Sequence, residues 1–310
     1  MSGPRPSRSS RSSSTGSGAP SPARCWTTST GHGRRPAALP GAGHRRPRVW
    51  WCATGPLSGM PLHAASPLPD PARPADTSTA ATDSVIDRVV SSYAPTLSVL
   101  AYSRDTTLGN APKVLAVGLK NTPGQPKLAG ACLEVDAVCR WAPDAMPLRD
   151  EEASRAAVLA GLRTHDWVHF AGLAAQDPSA DDNGHLICHD HAAEGPLTTS
   201  DIADAQSASR SFLAYLAACD TARGRANLID QAMHLAGGVQ SAGFAHVVAS
   251  FWPLQSTTSL LMTKTFYTYL EGRPVSHDTV ARAADHAASA ARESSPGRPS
   301  WWTSFHHMGP

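Results

Sequence analysis

A chain of 310 residues is long enough for one large domain or two small ones, and its 41% of hydrophobic residues can form a sizeable core. The formal net charge of +2 averages two unlike parts: a basic start with nine Arg and no acidic residue before Asp70, and a body with 18 basic and 25 acidic residues. The sequence contains no run of 18 apolar residues, so we expect no membrane-spanning segment.

The first 47 residues differ in composition from the rest, being rich in Ser, Gly, Pro and Arg. Such a segment has too little apolar surface to offset the entropy lost on ordering. We predict that residues 1–47 either form a disordered extension or are not translated because the start site was assigned too early. The folded domain is predicted to cover 48–310. A transit peptide would show an amphipathic helical period, which is missing here. Because Arg alternates with Pro and Ser and aromatic residues are few, we expect no specific nucleic-acid partner.

The six cysteines are scattered through a chain that is long enough to fold without disulfides. They are Cys25, Cys52, Cys132, Cys139, Cys188 and Cys219. We therefore expect reduced thiols in a cytoplasmic protein.

Strand and helix patterns alternate along the body of the chain. The apolar run at 49–51 opens the predicted domain, and the Pro-, Ala- and Thr-rich stretch 66–82 predicts a loop. The run KVLAV at 113–117 predicts a buried strand. Acidic residues at 150–152 predict the start of a helix whose buried stripe includes 158–162.

The second half of the body continues the same alternation. The further predicted strands are 166–171, 212–218 and 246–252, and the further predicted helices are 200–206, 228–242 and one that contains 262–270. Strands that alternate with crossover helices indicate a mostly parallel sheet with helices on both faces, which is an α/β fold.

One predicted strand ends in a cysteine. Functional groups of such sheets collect at the carboxyl ends of the strands. The segment LAACDTARG at 216–224 is an apolar strand followed by Cys219, small residues and Gly224. This arrangement holds a thiol at the sheet edge beside backbone N–H groups, as a nucleophilic cysteine requires. A buried structural cysteine at a strand end gives the same pattern.

Two segments together resemble the CHAT domain, a bacterial caspase-like cysteine-peptidase module. HFAGL at 169–173 resembles the HFACH segment of that family, and 216–224 resembles its LSAC-x-T-A-x-G segment. Position 173 precedes position 219 by 46 residues, similar to the roughly 50 that separate His from Cys in caspases. Further matching segments are VWWC at 49–52, TGPL at 54–57, PLHAA at 61–65, VSSY at 90–93, HLA at 234–236, AGF at 242–244, SFWP at 250–253 and the closing 302–310. The resemblance covers 48–310 and is to the actinobacterial type of the domain.

The resemblance implies a caspase-like three-layer α/β sandwich with a mostly parallel central sheet. In that family a Cys attacks a peptide carbonyl, a His at the neighbouring strand end takes and returns the proton, and backbone N–H groups stabilise the oxyanion. No metal or organic cofactor is required. The implied partners are a protein or peptide and a regulatory tetratricopeptide-repeat protein, although this chain has no 34-residue repeat of its own.

The departures from the family pattern fall on the chemistry. Cys219 keeps the nucleophile position, whereas Leu173 occupies the position of the base and cannot exchange a proton. Gly172 replaces a Cys, Ala217 replaces a Ser, and Gln231 replaces an acidic residue. Without a neighbouring base or cation, the thiol should titrate near the free value of about 8.5. Losing a general acid–base typically costs about 10²–10⁴ in rate.

Other histidines are candidates for a substitute base. His169 lies four residues before the base position, roughly 13 Å along the strand, and we interpret it as a core or support residue. His185, His189 and His191, in the segment HLICHDH, follow the base position and could swing over the thiol. The four ligand-type residues of this segment match no tetrahedral zinc pattern, so we predict no metal site and an exposed hairpin.

Four further residues complete the candidate pocket: Gly172, Asp220, Gly224 and Trp252. Asp220 would disfavour a thiolate if its charge were close to the sulfur. Trp252, at a predicted strand end, lines a substrate groove or belongs to the core, and the sequence leaves both readings open.

Two functions follow from these residues. The leading hypothesis is a pseudopeptidase that keeps the fold and binds a partner or peptide in the vestigial groove. The alternative is a conditionally active cysteine endopeptidase, in which Cys219 uses a histidine from 185–191 or from a partner.

Overall fold

The computed structural model describes residues 45–67, 84–108, 111–175, 184–206, 211–220 and 228–310, with the backbone alone at Pro56, 218–220 and 228–234. These residues belong to a compact unit that runs from His44 to Pro310. Nearly all of the predicted tail 1–47 and most of the predicted loop 66–82 lie outside the described residues.

Ten strands are described: β1 Arg48–Trp51, β2 Val90–Tyr93, β3 Val114–Gly118, β4 Met146–Arg149, β5 Trp167–Ala175, β6 His185–Ile187, β7 Leu197–Thr198, β8 Ser211–Asp220, β9 Phe244–Ser250 and β10 Phe305–Met308. The α-helices of these ranges are α1 Val85–Arg88, α2 Leu97–Arg104, α3 Ala131–Trp141, α4 Arg155–Leu162, α5 His191–Glu194, α6 Thr199–Gln206, α7 Leu228–Ser241, α8 Ser256–Leu270, α9 His277–Ser294 and α10 Pro299–Trp302. Within the described ranges, none of the helices has the length and apolarity that crossing a membrane requires.

The strands form one sheet in the order β1-β2-β10-β9-β8-β5-β3-β4, and β6 pairs with β5 and β7. The central strands β3, β5, β8 and β9 are parallel neighbours, as buried apolar runs joined by crossover helices predict. β10 runs antiparallel to β9 and parallel to β2. The predicted α/β fold with a mostly parallel sheet is confirmed.

Helices cover both faces of the sheet, and each face has its own core. On one face, α4, α6 and α7 bury side chains such as Val158, Ile202 and Val239. On the other, which we call the α3–α8 face, α3, α8 and α9 bury side chains such as Val135 and Phe266. The predicted three-layer arrangement is therefore confirmed.

One predicted helix start is wrong. The acidic residues 150–152 form a separate 3-10 turn, and α4 begins only after Ser154. The Ser154 hydroxyl accepts a 3.2 Å hydrogen bond from the N–H of Ala157. A serine that caps the first turn in this way fixes the helix start more strongly than acidic residues upstream of it.

One predicted strand end is also wrong. β9 stops at Ser250, two residues before the predicted end at Trp252. The next N–H, that of Phe251, donates to the carbonyl of Ser304 at 2.8 Å. This bond continues the pairing with the residue before β10 by one position, and the regular strand ends there.

Candidate functional site

The carboxyl ends of β5 and β8 lie side by side and in register. Their parallel pairing places the Cα of Leu173 opposite the Cα of Cys219. Neighbouring strands are about 4.8 Å apart, so the proposed base and nucleophile positions are as close as strand pairing allows. Directly paired positions share a face of the sheet. Positions 173 and 219 continue the alternation of His169 and Tyr215, whose rings lie on the α3–α8 face.

Leu173 is packed into the protein and is only 3% exposed. On the side away from β8, its Cα pairs with that of Ile187 in β6, another buried apolar residue. The strand end therefore presents an apolar side chain at the position where the family resemblance implies an imidazole, and Leu173 offers position 219 no proton acceptor.

The glycine beside Leu173 is a second departure that the packing enforces. A Cβ on Gly172 would lie 2.5 Å from the ring of Phe170 and 3.2 Å from the side chain of Leu119. Phe170 is fully buried and cannot yield without disturbing the core. The cysteine that the family resemblance implies at this position therefore does not fit here without a shift of Phe170.

A buried polar network supports the sheet behind these strand ends. The ring of His169 stacks on Tyr215, with centroids 4.7 Å apart, and its Nδ1 lies 3.2 Å from the hydroxyl of Tyr267. Its Nε2 lies 3.4 Å from Oε2 of Glu134, which also accepts a 2.7 Å hydrogen bond from Thr263. His169 is thus held inside the core, four residues before the base position.

Glu134 is a feature that the motif analysis missed. It is 3% exposed and lies on α3 beside the buried residues Ala131, Val135 and Val138. A carboxylate within an apolar helical stripe needs a buried partner. That interruption of the stripe is the sequence feature from which the network could have been predicted.

Two hollows on the α3–α8 face flank Ala217, two residues before the nucleophile position. Each is small, with room for about one water molecule. The first is lined by Tyr215, Leu254, Met262 and Phe305 among others, and the second by Glu134, Ala171, Ser256 and Ser259 among others. Ala171 and Ala217 carry only methyl groups, and the two hollows lie between them and the helices that cover this face.

The prediction of an exposed hairpin for the histidine segment is wrong. His185 is half-buried on β6, where its Cα pairs with that of Ala175 in β5. Its position therefore shares a face with position 173, two residues further along the strand. Joining the sheet buries this segment, which sequence polarity alone did not predict.

The other two histidines of the segment contact residues outside the paired strand ends. Nε2 of His189 lies 3.9 Å from a carboxylate oxygen of Glu151. The ring of His191 lies 3.1 Å from the carbonyl of Cys188 and 3.4 Å from the side-chain amide of Gln125. Of the three candidate substitute bases, His185 is the one that lies on a strand paired with β5, where it shares a face with position 173.

Trp252 is half-buried beyond the end of β9. Its indole N–H donates to the carbonyl of Ser300 at 2.8 Å, and its ring lies 6.1 Å from that of Phe251. It also packs against the core on the face of α4, α6 and α7. Of the other predicted pocket residues, Asp220 is described by its backbone alone, and Gly224 lies outside the described residues.

The residues that the structure describes contain no second cluster of cysteines or metal ligands. In those ranges, no group of three His, Cys, Asp or Glu side chains could hold a metal ion. Cys52, Cys132, Cys139 and Cys188 are free thiols. Burial raises the pKa of Cys188 to about 12, which makes it unreactive.

Comparison with known proteins gives a family and a structural likeness. A family model described as CHAT domain matches residues 34–310. Two solved structures are similar to the chain: the Arg specific cysteine proteinase gingipain R, and the complex of the pro- and mature domains of the corresponding Porphyromonas gingivalis protein. Both are 8% identical to it, with TM-scores of 0.47 and 0.48 over 74% of this chain, which spans 55% and 56% of theirs. Among curated proteins no match was found. The resemblance predicted from the motifs is confirmed: the chain belongs to the CHAT domain family.

Proposed function

We propose that this chain is a pseudopeptidase, a CHAT domain that binds an extended peptide or a partner protein at the carboxyl ends of β5 and β8 without cleaving it. The observation that carries the proposal is the pairing of Leu173 with Cys219 on neighbouring strands. A general base has to lie within hydrogen-bond reach of the thiol or one water away. The residue that pairs with the nucleophile position on β5 is an apolar one.

Such a peptide would lie along the carboxyl ends of β5 and β8, next to Ala217, a half-buried residue two positions before Cys219. The free thiols among the described cysteines support a cytoplasmic location. A regulatory tetratricopeptide-repeat partner is proposed from the family resemblance alone.

Peptide binding without cleavage is tested with a pool of random decapeptides, by affinity selection and mass spectrometry. We expect wild type and Cys219→Ala to retain the same peptides intact, because binding does not use the thiol. Ala217→Phe should reduce retention at least tenfold, since the ring would crowd the carboxyl end of β8 where the peptide lies. Ala160→Phe, on the exposed side of α4, is the matched control and should bind as wild type. Retention that is unchanged in Ala217→Phe, or no retention by wild type, would contradict the proposal.

A second candidate function is supported by the register of β6. Position 185 lies two strands and two residues from position 219, about 12 Å between Cα atoms at ordinary sheet spacings. A movement of β6 could bring the imidazole of His185 over the thiol and give a conditional cysteine endopeptidase. Peptide cleavage by wild type that is lost in His185→Ala, and kept in the control His165→Ala, would favour this function over the first.

A further inference from the structure

A chain of hydrogen bonds between buried histidines crosses the C-terminal part of the sheet. It begins at Ser92 in β2, whose hydroxyl lies 2.8 Å from Nδ1 of His307 in β10. Nε2 of His307 lies 2.8 Å from Nδ1 of His246 in β9. Nε2 of His246 lies 2.7 Å from Nδ1 of His277, the first residue of α9. Each ring nitrogen of the two central histidines is therefore occupied.

The two ends of the chain fix its direction. At one end, the guanidinium of Arg48 donates to the Ser92 hydroxyl at 2.7 Å, which leaves the hydroxyl proton to be donated to His307. At the other end, the ring of His277 hydrogen-bonds to the backbone of Arg104 and Thr106. With one proton on each imidazole, every link has one donor and one acceptor. When all three histidines are neutral, every hydrogen bond in this series can form.

An additional proton cannot be accommodated. If Nδ1 of His277 becomes protonated, it meets the N–H of His246 and two donors face each other. Reversing all the links would leave the hydroxyl proton of Ser92, which is fully buried, without an acceptor in the chain. A buried donor without a partner is costly, so the links between β9, β10 and α9 must break.

His277 is where such a proton would enter. His246 and His307 are at most 2% exposed, whereas His277 is half-buried. Burial lowers the pKa of all three, and neighbouring cations lower it further. The charged and titratable groups around the chain are Arg48 on β1, Arg104 on α2, Asp278, Arg282 and Asp285 on α9, and His306 on β10.

The strand that this series of hydrogen bonds holds in place, β10, is short. β10 has four residues, paired in full with β9 and through Met308 alone with β2. Its first residue, Phe305, lines one of the hollows beside Ala217. Release of β10 would therefore change the packing around Ala217, two residues before the nucleophile position.

We propose that the hydrogen-bond chain from Ser92 through His307 and His246 to His277 is an acid-sensitive latch. It holds β10 between β2 and β9 while His277 is neutral, and it releases the strand when His277 takes up a proton. This inference does not depend on whether the protein cleaves or binds peptides.

Hydrogen–deuterium exchange of a peptide covering β10 tests the latch, after correction for the intrinsic pH dependence of exchange. Each proton taken up on release changes the opening equilibrium by up to tenfold per pH unit below the pKa of a free imidazole, near 6.5. Between pH 6.5 and pH 5.5 we expect a loss of protection of at least about fivefold in β10 while β3 remains protected. Protection in β10 that stays constant, or that falls only together with β3, would overturn the proposal.

Two variants of α9 make the test specific. His277→Gln keeps a neutral donor and acceptor at this position but takes up no proton, so the loss of β10 protection between pH 7.5 and 5.5 should be about tenfold smaller than in wild type. His286→Gln, at an exposed position of the same helix, should respond to pH as wild type does. If His277→Gln fails to fold, the ¹⁵N shifts of the wild-type imidazoles replace it. His277 should titrate with the same midpoint as the release of β10, and a His277 that stays neutral through the release would exclude the latch.

Discussion

A Leu173→His variant should acquire peptidase activity that depends on Cys219, at a rate about 10²–10⁴ times that of wild type. The expectation follows from the register of β5 and β8, which pairs position 173 directly with position 219. An imidazole at that strand end could take the thiol proton and return it to the leaving amine. The readout is cleavage of a pool of fluorogenic peptides.

The controls for this variant separate a restored base from a merely polar side chain. Leu173→Gln is polar and similar in size but has no titratable nitrogen, and it should remain inactive. The double variant Leu173→His, Cys219→Ala should be inactive too. Because Leu173 is 3% exposed, we expect the histidine to cost about 1–3 kcal/mol of stability, which a thermal melt measures. If wild type cleaves as fast as Leu173→His, position 173 is not the base position.

Acid should unfold this protein steeply, with the free energy of unfolding falling as pH drops below 6.5. This sensitivity to acid comes from four fully buried histidines, because burial lowers the pKa of each. The pKa falls to about 3 for His63 and to about 4 for His306, and it lies well below its ordinary value for His246 and His307. The unfolded chain binds these protons near pH 6.5, whereas the folded protein does not.

The sign of the slope of unfolding free energy against pH follows from this difference in bound protons. At pH 8 the histidines are neutral in both states and add no pH dependence. Around pH 5.5 the unfolded chain holds about four more histidine protons than the folded protein. Burial raises the pKa of Asp285 to about 6, so the folded state holds one proton there that the unfolded chain lacks. The net difference of about three protons predicts a loss of about 4 kcal/mol per pH unit.

Urea unfolding at pH 8, 6.5 and 5.5 measures this slope. His306→Phe keeps the aromatic stacking on Phe251, where the centroids are 4.1 Å apart, and removes one titrating group. Its slope should be shallower by about 1.4 kcal/mol per pH unit. His286→Gln, at an exposed position, should leave the slope unchanged. An unfolding free energy that stays level from pH 8 to pH 5 would contradict the account of the buried histidines.

The sequence predicted the parts of the fold that depend on local pattern. The apolar runs of β3, β5 and β8 and the small residues after Cys219 identified the central parallel strands and their carboxyl ends. The family motifs then related Leu173 to Cys219, and strand pairing brings these two positions together. Strand patterns and motif spacing were sufficient here because both features are encoded in short, contiguous segments.

The remaining features depend on contacts between distant segments, which no local pattern encodes. His63, His246, His277 and His307 look like isolated polar residues in the sequence, yet all four lie in or beside one buried part of the sheet. The histidine segment 185–191 was predicted to be exposed because it is polar, but pairing of β6 with β5 buries it. Likewise, Gly172 is explained only by the ring of Phe170, which occupies the space of a side chain there.

The most direct test of the central claim is the pH dependence of Cys219 alkylation by iodoacetamide in the wild-type protein, followed by peptide mass spectrometry. A thiol whose neighbouring strand carries Leu173 in place of a base should titrate as a free cysteine, with an apparent pKa of about 8.5. Leu173→His, measured in parallel, should lower that value by providing an imidazolium beside the sulfur. An apparent pKa well below 7 in wild type would show that a histidine or another cation already activates Cys219, and the pseudopeptidase account would be wrong.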